Sequence, residues 1–438
     1  MKITFYGGAG EVGRSCIRVD GKETTILLDA GVKLAQQNEM PLLSKEGFGD
    51  IDAVVVTHAH LDHCGYLPHM YSQGFTGSVY ATKPTLELAN VIISDYLRLS
   101  KPKDVSKHGT EEMVRHHRFL EYFKSYRIGD FEVKLYPAGH ILGSAMVELK
   151  DTTTGESLLY TGDFNMRSTR LLDPAYTEHL KADTLITEST YGGDADVFPP
   201  QREVLNGFIN SIKETILTGG KALIPSFAVG RAQEVLFILN DYMRSGILPQ
   251  TNIYIDGMIN KAMRIYRHNV IYCRDEIQKQ ILMSEDDPFK SKFFHIVKGR
   301  QERGKIASGN EASIVVTTSG MLKGGPIVKY LQRSAGDPNS KLIFVGYQAP
   351  DTPGRKILDG ERTIELDGKQ VKIEMKIEQY RLSAHADRQS LMHMISRIEG
   401  LKNVVIVHGE PQKIAEFSKA VDKKYKVYTP SLGSSIEV

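Results

Sequence analysis

The segment His58-Ala59-His60-Leu61-Asp62-His63 puts three imidazoles and a carboxylate within six residues. Imidazole and carboxylate together suit Zn²⁺, and a site that keeps one coordination position open can present water to a substrate. On an irregular loop, alternating side chains can diverge around two ions. A lone histidine is usually structural, but ligand-type residues in HxHxDH order point to metal. Two sites need more ligands than this loop holds. His140 lies in Pro137-Ala138-Gly139-His140-Ile141-Leu142-Gly143, Asp163 in Thr161-Gly162-Asp163-Phe164, and His408 in Val407-His408-Gly409-Glu410. Each alone is as readily a turn residue or helix cap. Together with the loop they supply a full binuclear set.

The elements that position these residues are legible as short apolar runs ending in polar residues or glycine. The runs 25–28, 54–56, 158–160, 185–186, 222–224, 253–255, 314–316, 342–345 and 404–407 read as buried strands. Between them, 84–99, 202–217, 231–245, 388–398 and 412–424 read as helices. The first carries Leu86, Ala89, Ile93 and Leu97 on one face, with Pro84 in its first turn. Strands alternating with helices predict an α/β protein, in which ligands bind beyond the carboxyl ends of the strands. Most of the candidate ligands follow such runs directly.

Composition narrows the function class. At 438 residues, with 41% hydrophobic and 25% charged residues, the chain is globular and long enough for two or three domains. Its 55 basic residues nearly cancel its 53 acidic ones, leaving +2, so phosphate binding has to come from local groups. The basic run from Arg98 to Arg118 reads as readily as a solvated face, and His116 and His117 lack a carboxylate at ligand spacing. Three scattered cysteines exclude a disulfide framework and a cysteine-rich zinc site. No secretory leader or bilayer-length apolar stretch is visible, so a cytoplasmic enzyme with no membrane partner is expected.

On these motifs the chain resembles the metallo-β-lactamase superfamily. The resemblance implies that His58, His60 and His140 hold one zinc, that Asp62, His63 and His408 hold the other, and that Asp163 bridges the two Zn²⁺ ions. Asp29, after the apolar run 25–28, would orient the ligand loop by hydrogen bonding; alone it is as readily a turn residue. Glu188-Ser189-Thr190-Tyr191-Gly192 and Ser383-Ala384-His385-Ala386-Asp387 resemble the β-CASP nucleases, closest to the nuclease subunit of the cleavage and polyadenylation factor and its archaeal and bacterial relatives. The stretches 224–234, 318–326 and 346–349 follow the same pattern in the same order, whereas Asp351-Thr352-Pro353-Gly354-Arg355 departs from it at Pro353.

The expected architecture is a metallo-β-lactamase αββα sandwich with an inserted α/β β-CASP domain. Residues 1–191 and 373–438 would form the core and 192–372 a lid over the metal face, with no room ahead of the core for a separate RNA-binding domain. In the insertion, Ser226, Phe227, Arg231, Ser319, Gly320, Lys323 and Arg355 are candidate contacts to single-stranded RNA. Glycine lets backbone amides approach a phosphate, and Phe227 could stack on a base. Each has a plainer use, as a turn, a core ring, a helix start or, for Arg355, a partner for a nearby carboxylate.

The resemblance implies a ribonuclease, endonucleolytic or 5′-to-3′ exonucleolytic. A metal-bridging hydroxide would attack phosphorus, with Asp62, Glu188 and His385 as the catalytic carboxylates and imidazole. Glu188 would orient His385 to protonate the departing 3′-oxygen, the alternative role for His385 being simple phosphate binding. A homodimer is expected from relatives alone, and 425–438 reads as an edge strand or a dimer element. The alternatives are a DNA nuclease of the same architecture, a small-molecule hydrolase, for which the insertion is unnecessary, and a non-catalytic scaffold, which would typically have lost ligands.

Overall fold

The computed structural model describes residues 1–34, 38–283 and 286–438. The chain divides into two compact units, one of Met1–Ser168, Leu172–Val197 and Ala384–Val438, the other of Thr169–Leu171 and Phe198–Ser383. The sequence reading returns the chain to the core at 373, but the structure returns it at Ala384. The difference is the strand Lys376–Gln379, which pairs in parallel with Lys341–Phe344 in the sheet of the second unit.

The first unit is a sandwich of two seven-stranded sheets. In one the order is Ser435–Glu437, Lys2–Gly7, Cys16–Asp20, Thr25–Leu28, Ala53–Val55, Ser78–Ala81, His117–Phe119. In the other it is Lys426–Tyr428, Asn403–Ile406, Thr184–Thr187, Ser157–Tyr160, Ala145–Asp151, Phe131–Pro137, Ser125–Ile128. Alternation decides the packing: Ile3, Phe5, Ile17 and Val19 of the first sheet meet Phe131, Val133, Leu135 and Tyr160 of the second in one buried cluster. The opposite face of the second sheet (Leu159, Leu185, Val404) packs on Leu391 and Phe417 of the helices Arg388–Arg397 and Pro411–Ala420. Covered on both sides, these central strands are continuous apolar runs, which is why they stand out in the sequence.

Parallel pairing aligns the strand ends that carry chemistry. Thr25–Leu28 runs parallel to Ala53–Val55, and Ser157–Tyr160 to Thr184–Thr187 and on to Asn403–Ile406. Asp29, the loop 57–63, Asp163, Glu188 and His408 all follow the carboxyl ends of these strands. The stretch 425–438 supplies an edge strand to each sheet, Lys426–Tyr428 beside Asn403–Ile406 and Ser435–Glu437 beside Lys2–Gly7.

The second unit is built on a six-stranded parallel sheet in the order Phe294–Ile296, Ile253–Asp256, Ser313–Thr317, Lys221–Pro225, Lys341–Phe344, Lys376–Gln379. Helices such as Gln201–Leu217 and Arg231–Arg244 connect or flank its strands. At the end of its strand Ile253–Asp256, the buried Asp256 accepts two bonds from Arg303, at 2.6 and 2.8 Å, and one from the Tyr330 hydroxyl at 3.1 Å. Pro353 sits in the first turn of Pro353–Leu358, where a missing N–H costs nothing, and Thr352 caps that turn through Arg355 N–H. All three cysteines are buried and free, and among the described residues no helix is long and apolar enough to cross a membrane.

Candidate metal centre

The loop after Ala53–Val55 turns sharply into the short helix Leu61–Cys64, so His58, His60, Asp62 and His63 leave the backbone in different directions. Gly31 makes the turn fit: a Cβ there would lie 1.7 Å from the carbonyl oxygen of Asp62. Ser15 N–H donates to that same oxygen at 2.8 Å. His408 holds its own position with a left-handed backbone (φ +48°), its N–H donating to Gly8 O at 2.7 Å and its carbonyl accepting from Ser189 N–H at 3.2 Å. A buried non-glycine residue in that conformation stores strain that the surroundings have to hold.

Two groups of ligand-type atoms result, His58, His60, His140 and Asp163 in one, Asp62, His63 and His408 in the other. In the first, His60 Nδ1 is 3.2 Å from His58 Nε2 and 3.1 Å from His140 Nε2. Nitrogens each bonded at about 2.0–2.1 Å to one tetrahedral zinc would be separated by roughly 3.3 Å. In the second, His408 Nε2 lies 3.5 Å from Asp62 Oδ2. Asp163 Oδ2 stands 3.6 Å from His58 Nε2 and 3.4 Å from His63 Nε2, touching an imidazole of each group. His63 Nε2, His408 Nε2 and Asp163 Oδ1 are buried without a hydrogen-bond partner among the described residues. Buried polar atoms left in that state are costly, and all three belong to residues of the ligand-type groups, where a divalent cation would satisfy them.

Electrostatics separate the two groups. Burial, with the neighbouring imidazoles, holds His58 and His140 well below the ordinary histidine value, so both are neutral with a lone pair to give. Burial acts the same way on His63 and His408, but there Asp163 and Asp62, joined for His63 by Asp29, outweigh it and raise both. The carboxylates thus draw positive charge to the second group. Burial opposes the charged form of Asp163, and His408, His63 and His385 reverse that, holding it well below the usual carboxylate range.

Glu188 and His385 meet beside this centre. His385 Nδ1 lies 3.0 Å from Glu188 Oε2, while Glu188 Oε1 accepts from Phe164 N–H at 2.9 Å. Burial lowers the His385 imidazole, but Glu188 and Asp163 outweigh it and bring it up to about 9. Glu188 also falls into a third ligand-type group, with Asp163 and His408, a use the sequence reading does not assign to it.

Comparisons with known proteins give the family. A metallo-beta-lactamase superfamily domain matches residues 16–190, a Beta-Casp domain 232–357, and a Zn-dependent metallo-hydrolase RNA specificity domain 370–430. The transcription termination factor FttA of Methanocaldococcus jannaschii is 37% identical over 98% of this chain and 70% of its own length. The factors of the same name from Pyrococcus horikoshii and Methanothermobacter thermautotrophicus are also 37% identical, across 69% and 70% of their lengths. The chain belongs to the β-CASP family of the metallo-β-lactamase superfamily. A solved Enterococcus faecalis protein of unknown function shares the fold at 15% identity, with a TM-score of 0.61 over 99% of each chain.

The stretches 224–234, 318–326 and 346–349 lie in the second unit, whereas 188–192 and 384–387 lie in the first. Ser226, Phe227 and Gly320 are neighbours: a Cβ on Gly320 would lie 3.1 Å from both Phe227 N and Ser226 C, and the Gly320 carbonyl accepts from Gln348 Nε2 at 2.9 Å. Phe227 is partly exposed rather than a core ring, and the buried Ser226 Oγ has no hydrogen-bond partner among the described residues. Ser319 Oγ donates to Gly324 O at 3.1 Å. Arg231 opens the helix Arg231–Arg244, and Lys323 lies in the turn before Pro326–Ser334. Arg355 takes the plainer of its two readings, its Nε donating to both oxygens of Asp359 at 2.9 Å.

Three positioning residues escape the sequence reading. Thr57 and Tyr160 both bond Asp29, and Thr190 Oγ1 lies 3.3 Å from His408 Nδ1. The available signal is adjacency alone: Thr57 precedes His58, and Tyr160 ends the strand that leads to Asp163.

Proposed function

We propose that the protein is a two-zinc ribonuclease that hydrolyses RNA phosphodiester bonds. The observation that carries this reading is the gathering of His58, His60, His140 and Asp163, and of Asp62, His63 and His408, into two adjoining groups in a chain matched by an RNA specificity domain. When bound, the ions would supply a nucleophilic oxygen at neutral pH and neutralise charge developing on the phosphate.

The protein's own groups do the rest. Asp163 holds its carboxylate between the two groups, and Asp62 adds a second negative charge, so the cations stay while an anionic substrate arrives. His385, raised by Glu188 and Asp163, carries a proton at neutral pH and is set to give it to the departing 3′-oxygen. Glu188 fixes which nitrogen is presented, because its carboxylate takes the Nδ1–H and leaves Nε2 to face the substrate. This chemistry leaves a 5′-phosphate on one product and a 3′-hydroxyl on the other. Ser226, Phe227, Arg231, Ser319, Gly320 and Lys323 are the proposed contacts to single-stranded RNA, with the chain from 192 to 372 as the substrate-binding insertion, and Arg355 stands as a weaker member of that set. A cytoplasmic homodimer is part of the same reading. The relatives' name suggests the class of RNA: transcripts at the point where transcription ends.

Cleavage of internally labelled and end-labelled RNA by zinc-loaded protein, beside matched DNA and an EDTA control, tests the proposal. Metal-dependent RNA products ending in 5′-phosphate are expected. Full metal occupancy with no cleavage of any strand would leave the scaffold reading in its place.

A further inference from the structure

Asp29 is fully buried and adopts a left-handed backbone (φ +61°), and its carboxylate is surrounded by donors. Oδ1 accepts from Thr57 N–H at 2.7 Å; the Thr57 hydroxyl lies 3.0 and 2.9 Å from Oδ1 and Oδ2. Oδ2 also meets His63 Nδ1 at 2.7 Å and the Tyr160 hydroxyl at 3.0 Å. The Thr57 oxygen has a further neighbour, His58 Nδ1, at 3.0 Å.

Donor counting fixes the protons. A carboxylate has none to give, so the Thr57 hydroxyl donates to Asp29, and His63 and Tyr160 do the same. The Thr57 oxygen can then only accept from His58, which places a hydrogen on His58 Nδ1 and leaves Nε2 with its lone pair. His63 is treated identically but directly: its Nδ1–H goes to Asp29 and its Nε2 is left open. His58 belongs to the first ligand group and His63 to the second. We infer that Thr57 is a positioning residue for the first metal site, passing on to His58 through its hydroxyl the orientation that Asp29 gives His63 directly, with Tyr160 holding the carboxylate in place.

This rests on the two-ion reading above. It assigns Thr57 and Tyr160 a task that packing alone would not give them. A hydroxyl-free residue of the same shape at 57 would keep the fold but release the His58 tautomer. At 160 the loss of one donor, with the others still in place, would be felt by both sites, and more weakly. Removing an outer partner of a metal-bound imidazole typically costs about 10- to 100-fold in metal affinity.

The test is zinc titration of the metal-free full chain against a chromophoric competitor, reading both dissociation constants. Thr57→Val is expected to weaken one ion by about 10- to 100-fold and leave the other near the parent value, Thr57→Ser to restore it, and Asp29→Asn to weaken both. In a His58→Ala background Thr57→Val should be silent; in a His63→Ala background it should keep its full effect. A silent Thr57→Val, equal weakening of both ions, or a Thr57→Ser as damaging as valine would overturn the inference. A parent chain that binds fewer than two ions would remove the two-ion reading and this inference together; two ions with a silent Thr57→Val removes only the latter. Should valine unfold the chain, ¹⁵N-histidine NMR of the unsubstituted metal-free protein decides alone: His58 protonated on Nδ1 is expected, and a predominant Nε2–H form refutes it.

Discussion

His140 donates its Nδ1–H to the main-chain oxygen of Ala384, 2.7 Å away, and the next residue, His385, sets its Nδ1 3.0 Å from Glu188. One short segment thus fixes the tautomer of a candidate ligand with its backbone and presents a proton donor with its side chain. The two roles are separable because His140 uses a carbonyl that every residue at 384 retains. His385→Ala should keep two bound zinc ions and lose about 10²- to 10⁴-fold in the rate of RNA cleavage. Glu188→Gln should fall between that variant and the parent chain. Metal analysis beside single-turnover kinetics checks this, and an unaltered rate in His385→Ala would remove it from the chemistry.

Asp163 reaches an imidazole of each ligand group, so its loss should be felt twice. Asp163→Ala is expected to hold fewer than two ions after dialysis against buffered zinc. Stripping the parent chain with EDTA should lower its melting temperature, since ligands that bind only the folded state contribute about 2.7 kcal/mol each at a hundredfold excess over Kd. Two tightly held ions in Asp163→Ala would contradict its bridging place.

Gly31 lies outside both ligand groups, yet a Cβ at that position would fall 1.7 Å from the backbone oxygen of Asp62. Backbone cannot yield as a flexible side chain does, so Gly31→Ala should push the 60–63 turn outward and cost metal binding even where the fold survives. Circular dichroism and zinc stoichiometry on the same sample separate the two effects; normal stoichiometry would mean the turn tolerates the shift.

How far the sequence carries depends on range. The candidate ligand set is legible because its members are ligand-type residues beside glycine or at the ends of apolar runs, a local pattern, and the structure gathers all of them into the two groups. Thr57 and Tyr160 are not, because a threonine and a strand-terminal tyrosine have many uses and only their shared partner, Asp29, distinguishes them. Gly31 is hidden for the same reason. The return to the core at 373 is what the family resemblance implies; which sheet Lys376–Gln379 joins is decided by its partner Lys341–Phe344, about thirty-five residues earlier. Arg355 cannot be divided between phosphate and Asp359 without the helix that brings the carboxylate one turn away.

In the second unit, Asp256 is buried beneath a bidentate Arg303 and the Tyr330 hydroxyl. Asp256→Ala would leave the guanidinium half-enclosed without its counter-charge, a change that costs about 3–5 kcal/mol when a buried pair is broken. Denaturant unfolding should show that loss, and Asp256→Asn, which keeps hydrogen-bonding capacity, should recover part of it. No change in midpoint would mean the pair is more solvated than its burial implies.

His117, on the strand His117–Phe119, is pushed by burial and by Arg118 down to about 4, from an ordinary 6.5. Its folded value is depressed, so between those two pH values the unfolded chain takes up the proton first. Stability from this residue is therefore complete above pH 6.5 and is lost as pH falls toward 4. His117→Asn should flatten that part of the curve by on the order of 2 kcal/mol, allowing for its partial exposure. Unfolding free energies at pH 7 and 4.5 for both proteins give the comparison, and equal slopes would refute it.

The first unit is stitched from three stretches, with Phe198–Ser383 emerging between its second and third. During synthesis, Asp163 and every candidate ligand before it leave the ribosome long before His408 does. At about 5–20 residues per second, the intervening segment takes on the order of 10 to 50 s to make. A growing chain therefore cannot complete its second ligand group, and whatever reactivity that group confers is withheld until His408 has been added. Translation itself acts as the timer on this centre.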